Sequence, residues 1–127
     1  MTQAMLEHVN FTVSDPEKTA ERLCELFGWK IRWKGEAKYE GFTVHVGSDD
    51  SYLAVYAKGT PGDPAAETYF TRGGLNHLGI VVDDLDAVEA RVKAMGYVPN
   101  SHADYEPGRR FYFDDADGIE FEVVSYT

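Results

Sequence analysis

Apolar and polar residues alternate over short runs of this chain, and the runs come in two matching sets. Val9, Phe11 and Val13 alternate with His8, Asn10 and Thr12, so a strand here has one apolar and one polar face, with His8 on the polar side. The period then lengthens. Ala20, Leu23, Cys24 and Phe27 recur at the i, i+3, i+4, i+7 spacing of an amphipathic helix. Asp15-Pro16-Glu17 gives that helix an N-cap and a proline at its first position, and Gly28 closes it. Alternation predicts three more strands, near 31–34, 41–47 and 52–57.

The order then repeats. Leu75-Asn76-His77-Leu78-Gly79-Ile80-Val81-Val82-Asp83-Asp84 follows the same sequence of apolar, histidine and acidic positions as Leu6-Glu7-His8-Val9-Asn10-Phe11-Thr12-Val13-Ser14-Asp15. A second helix, with Leu85, Val88, Val92 and Met95 on its stripe and Asp83-Asp84 as its cap, ends at Met95-Gly96-Tyr97 as the first ends at Phe27-Gly28-Trp29. Strands are predicted near 97–100, 110–114 and 120–126. The chain thus reads as an α+β protein of two tandem βαβββ modules, about 1–58 and 74–127. A linker of about 59–73 joins them, where Gly59, Pro61, Gly62, Pro64, Gly73 and Gly74 punctuate the chain.

At 127 residues and 43% hydrophobic, the two modules make one compact domain by size, with enough apolar surface for a core. The net charge of -10 argues against nucleic acid and anionic membranes as partners. No apolar run reaches the roughly 18 to 20 residues of a membrane span, and the opening residues lack the pattern of a secretory signal, so the expected location is cytoplasmic. The single Cys24 is expected to be a buried core thiol.

Aligning the modules through their last turns, Gly47-Ser48-Asp49-Asp50 and Asp115-Ala116-Asp117-Gly118, sets Glu122 opposite Ala54. Phe121 and Val123 take the helix side, so Glu122 shares a face with His77. The repeat brings in His8 from the other module, and Ala54 leaves a fourth ligand position empty. Histidines at equivalent points plus a facing carboxylate suggest a divalent metal site. The plain alternative is that all three are polar residues on a half-solvated face.

The repeated module, the paired L-x-H strand starts and the Asp115-Ala116-Asp117-Gly118-x-x-x-Glu122 ending resemble the vicinal oxygen chelate superfamily, over nearly the whole chain. That superfamily includes glyoxalase I, fosfomycin-resistance transferases, extradiol dioxygenases and bleomycin-resistance proteins. Its usual ending is D-P-D-G-N-x-x-E, from which Ala116 and Ile119 depart. The resemblance implies a glyoxalase-like, cup-shaped eight-stranded sheet around one divalent metal ion (Fe, Mn, Ni or Zn). His8, His77 and Glu122 match the ligands. Glyoxalase I usually has a second glutamate where this chain has Ala54, which weakens an isomerase reading. A homodimer is also implied.

Strand alternation adds further candidates. Arg110 and Tyr112 face the cup as catalytic candidates, the first to clamp an anion and the second to donate a proton, with His45 as their rough counterpart in module one. Tyr52 and Tyr56 flank Ala54 as substrate-lining residues. His102, Asp104, Tyr105 and Arg109 belong to a predicted connector, 99–108, that could cover the mouth, with Tyr105 and Arg109 as substrate contacts. The expected activity is that of a metal-dependent lyase, isomerase, transferase or oxygenase on a small oxygenated substrate. The alternative is a metal-free protein of the bleomycin-resistance type that sequesters a cationic aromatic ligand.

Overall fold

The computed structural model describes residues 2–105 and 108–127, which form two compact units divided between Gly62 and Asp63. The first contains β1 (His8–Thr12), α1 (Pro16–Phe27), β2 (Lys30–Ala37), β3 (Gly41–Gly47) and β4 (Tyr52–Ala57). The second contains β5 (Leu78–Val81), α2 (Leu85–Ala94), β6 (Asn100–Tyr105), β7 (Gly108–Asp114) and β8 (Glu120–Ser125). Each unit is a βαβββ module with its own four-stranded sheet, in the orders β1-β4-β3-β2 and β5-β8-β7-β6. In each sheet the first strand runs parallel to the last, and the other pairs are antiparallel.

The helices start and stop where the sequence places their caps. Asp15 accepts a hydrogen bond from the Lys18 N–H, and Gly28 ends α1 in the left-handed region at φ 69°. Asp84 accepts from the Ala87 N–H at the start of α2. The buried stripe of α1 is rotated from the expected one: Pro16, Thr19, Ala20, Leu23 and Leu26 are buried, whereas Cys24 and Phe27 are only half-buried. Leu26 fills the space against the sheet, so the thiol sits on the flank of the core. In α2, Leu85, Val88 and Val92 are buried and Met95 is half-buried.

The core of the first unit joins Leu23 and Leu26 to Val44, Val46, Leu53 and Val55. That of the second is aromatic, with Phe113 stacked on Phe121 at 5.2 Å between centroids and Phe111 beside them. These residues lie on the helix side of each sheet, which leaves the other face to His8, His45 and Tyr52 in one unit and His77, Tyr112 and Glu122 in the other.

The expected 41–47 and 52–57 strands coincide with β3 and β4. One expectation is corrected. The predicted strand at 97–100 and connector at 99–108 are replaced by β6, which pairs with β7 through Ala103↔Arg110 and Asp104↔Arg109. A break in register between Asn100 and Ala103, with Ser101 at φ 53°, interrupts the alternation that would have marked the strand. Residues 106 and 107 of that expected connector lie outside the described residues. The 63–73 part of the expected linker contains turns and no helix or strand. Its turns are held by Phe70 N–H and Thr71 Oγ1 donating to the Glu67 carbonyl, and it belongs to the second unit. No helix among the described residues is long and apolar enough to cross a membrane.

Candidate functional site

The ladders reproduce the repeat residue for residue. Asn10 pairs with Ala54 as Gly79 pairs with Glu122, and His45 pairs with Ala54 as Tyr112 pairs with Glu122. His45 is therefore the counterpart of Tyr112, and Thr43, which pairs with Tyr56, is the counterpart of Arg110, which pairs with Val124.

In the second unit four side chains converge. The Glu122 carboxylate, only 14% exposed, turns Oε1 toward His77 Nε2 at 3.3 Å. Its Oε2 accepts from Arg110 Nη1 at 2.8 Å and from the Tyr112 hydroxyl at 2.9 Å. Gly79, directly across from Glu122, leaves the Oε1 side open, since even a Cβ there would lie 3.8 Å away. Arg110 also donates to the Gly108 carbonyl and lies over the Tyr105 ring, 4.9 Å from its centroid. Its Nε is buried and meets no acceptor among the described residues.

Burial alone would push the Glu122 carboxyl up. The hydrogen bonds from Arg110 and Tyr112, with the charges of Arg110 and His77, outweigh it and hold the carboxyl below its usual value. Tyr112 is shifted upward, first by burial and then by its bond to Glu122, so its hydroxyl stays a donor at neutral pH.

The residue before each histidine fixes that histidine's tautomer. Asn76 Oδ1 accepts from His77 Nδ1, and Glu7 Oε1 accepts from His8 Nδ1 at 3.0 Å. With Nδ1 carrying the proton, a neutral ring keeps the lone pair on Nε2. His77 Nε2 and Glu122 Oε1 then face each other as two acceptors, an arrangement that a shared proton or a cation relieves.

The first unit gathers rings on its equivalent face. His45 stacks on Tyr52 at 4.5 Å, His8 stacks on Tyr52 at 4.9 Å, and Trp33 tilts against His45 at 5.1 Å. Tyr52 donates its hydroxyl to Glu7, and the Arg32 guanidinium lies over its ring. Burial pushes the His45 imidazole down, and the charges of His8 and Arg32 add to this, so it is neutral at pH 7. Ala54 is buried among these groups. Tyr56 points away from the ring cluster and donates to the Lys38 carbonyl at 2.6 Å.

The structure thus brings together His77, Glu122, Arg110, Tyr112 and Tyr105 in one unit, and His8, His45 and Tyr52 in the other. It does not bring Arg109 to Glu122. Arg109 alternates with Arg110 and pairs with Asp86 on α2 at 3.0 Å, on the helix side of the sheet. There Arg109 lines a cleft of about 330 Å³ with His102, Asp104 and Glu89, and His102 pairs with Glu89 at 2.7 Å. Among the described residues, no three His, Cys, Asp or Glu side chains converge as a metal cage. His77 with Glu122 is one facing imidazole–carboxylate pair, and His102 with Glu89 on the helix side is another.

Several contacting residues were not singled out from the sequence. Asn76 and Glu7 occupy the same place in the repeat, which could have marked them. Tyr69, in the expected linker, donates to Glu120 at 2.6 Å and stacks 6.4 Å from His77. That hydrogen bond, with burial and the Glu120 charge, pushes its hydroxyl up to about 12. No local sequence signal identifies it.

The family model described as Glyoxalase/Bleomycin resistance protein/Dioxygenase superfamily matches residues 5–123. The chain is similar in structure to a glyoxylase/bleomycin resistance protein/dioxygenase domain from Frankia sp. EAN1pec, at 25% identity and TM-score 0.82, covering 98% of each chain. It also has the fold of the fosfomycin resistance protein FosX from Mesorhizobium loti, at 24% identity and TM-score 0.72, covering 97% of this chain and 92% of that one. FosX from Listeria monocytogenes, crystallised with Mn(II) and sulfate, shares the fold at 22% identity and TM-score 0.74, covering 99% and 95%. No protein of curated function matches the sequence.

Proposed function

The chain belongs to the Glyoxalase/Bleomycin resistance protein/Dioxygenase superfamily, and from that premise we propose that it is a divalent-metal-dependent enzyme acting on a small oxygenated molecule. The chemistry is that of a lyase, isomerase, transferase or oxygenase. Its proposed ligands are His77, Glu122 and, by the family resemblance, His8.

One observation carries this reading. Both histidines have Nδ1 engaged by the preceding residue, which leaves Nε2 as the coordinating atom, and His77 Nε2 faces a carboxylate oxygen whose partner oxygen is already held. Two imidazoles and a carboxylate suit Fe, Mn, Ni or Zn. The Mn(II) found with the Listeria protein favours testing manganese first. A divalent ion held there polarises a substrate oxygen and stabilises negative charge developing on it.

The chain's own residues do the rest. Arg110 and Tyr112, expected to contact substrate, are committed to Glu122 Oε2, so their first role is to orient that carboxylate. Trp33, tilted against His45 and exposed, offers a ring face on which a planar substrate can rest. Sequestration of a cationic ligand suits this face poorly, because the Arg32 guanidinium already covers Tyr52. A homodimer is the proposed assembly.

The test is the metal content of protein purified without an affinity tag, followed by assays on epoxides, 2-oxoaldehydes and catechols with and without chelator. Turnover of one class, lost with chelator and restored by metal, supports the proposal. A metal-free protein that turns over none of them and binds no added ion contradicts it.

A further inference from the structure

Arg110 lies close enough to Glu122 to change what the site does with a cation. The two side chains are 12% and 14% exposed, so their mutual charge is only partly screened by water. The repeat supplies an internal comparison: where module two has Glu122 and Arg110, module one has Ala54 and Thr43, so the carboxylate and its counter-charge are present together or absent together. Tyr112, in contrast, faces Glu122 without adding charge.

We propose that Arg110 sets the charge of the site: it neutralises Glu122, so that a divalent ion meets a donor pair with no net charge. The inference rests on the metal-binding reading above. Its consequence runs against the usual effect of an outer partner, whose loss weakens metal binding about 10- to 100-fold through lost orientation. Here the Tyr112 hydroxyl still holds Oε2 when Arg110 is removed, so the carboxylate keeps its direction. What changes is the repulsion between the guanidinium and the ion, and the bare carboxylate of Glu122 attracts the ion more strongly. With Arg110 in place, binding is looser, and more of the ion's positive charge is left for the oxygens of a substrate.

The experiment is calorimetric titration of the metal-free protein with Mn(II), comparing wild type, Arg110→Met, Arg110→Lys, Tyr112→Phe and His77→Ala, with folding of each checked by circular dichroism. The expected result is that Arg110→Met tightens the Kd by about tenfold or more, whereas Arg110→Lys, which keeps the charge, stays within about threefold of wild type. Tyr112→Phe, which removes no charge and leaves Arg110 holding Oε2, stays within about threefold of wild type. Arg110→Gln serves the same purpose if the methionine variant does not fold. Two results overturn the inference while leaving the metal site standing: wild type binds in a His77-dependent way but Arg110→Met binds no tighter, or Arg110→Lys tightens as much as Arg110→Met. If neither wild type nor Arg110→Met binds, the metal reading and the inference fall together.

Discussion

Tyr112 stands directly across the β7/β8 ladder from Glu122 and donates its hydroxyl to Oε2 at 2.9 Å. That single bond couples the orientation of the carboxylate to the strand register. Removing the hydroxyl in Tyr112→Phe leaves one oxygen short of a donor and costs about 1 kcal/mol in stability. Urea unfolding checks this; an unchanged midpoint would mean the bond is replaced by solvent.

The aromatic core of the second unit carries its stability. Phe121 is fully buried and stacks on Phe113. Phe121→Ala is expected to cost about 3–5 kcal/mol, the range for a large-to-small change in a packed core. Chemical denaturation measures it, and a cost below about 1 kcal/mol would contradict the packing described.

Asp115 forms the turn before β8 by accepting from the Asp117 and Ile119 N–H groups at 2.9 and 3.0 Å. Burial nevertheless pushes its carboxyl above the ordinary 3.8, outweighing those two bonds. A carboxyl whose folded pKa is raised favours the fold when protonated. Its ionisation therefore costs stability as pH rises from the unfolded value through the folded one. Asp115→Asn keeps the acceptor oxygen and removes the charge. The variant is expected to be more stable than wild type at neutral pH, with the difference shrinking to nothing below about pH 3.8. Thermal unfolding across pH reads the difference directly, and a gap that widens on acidification would reverse the sign.

Gly118, at φ 79° in the same turn, has open space where a Cβ would sit, so any loss on substitution is backbone strain alone. Gly118→Ala is expected to cost about 1–2 kcal/mol. Equal stability in chemical denaturation would show that the turn relaxes to another conformation.

Much of the fold was legible because the repeat doubled every signal. A helix cap, a stop glycine or an alternating run in one module could be checked against its counterpart, and β3 and β4 emerged with their observed ends. β6 was not legible. Its residues are polar, it lies at the edge of its sheet, and the break at Ser101 destroys the two-residue period. That error also misplaced Arg109, because β7 was expected to begin at residue 110 and Arg109 was therefore not read in alternation with Arg110. In α1 the spacing admitted two neighbouring stripes, and packing against the sheet chose the one with Leu26 over the one with Cys24 and Phe27. At the site, alternation placed His77 and Glu122 on one face. It could not show that Arg110 and Tyr112 would both turn onto the same carboxylate oxygen, since this depends on side-chain reach and not on strand phase.

The central claim is that His77 and Glu122 bind a divalent ion. Its most direct test is calorimetric titration of chelator-treated wild type and His77→Ala with Mn(II), both shown to be folded. The account predicts saturable binding of one ion per chain in wild type, weakened by about a hundredfold or more in the variant, equivalent to about 2.8 kcal/mol or more. Equal affinity in the two proteins, or no binding by a well-folded wild type to Mn(II), Fe(II), Ni(II) or Zn(II), would contradict it.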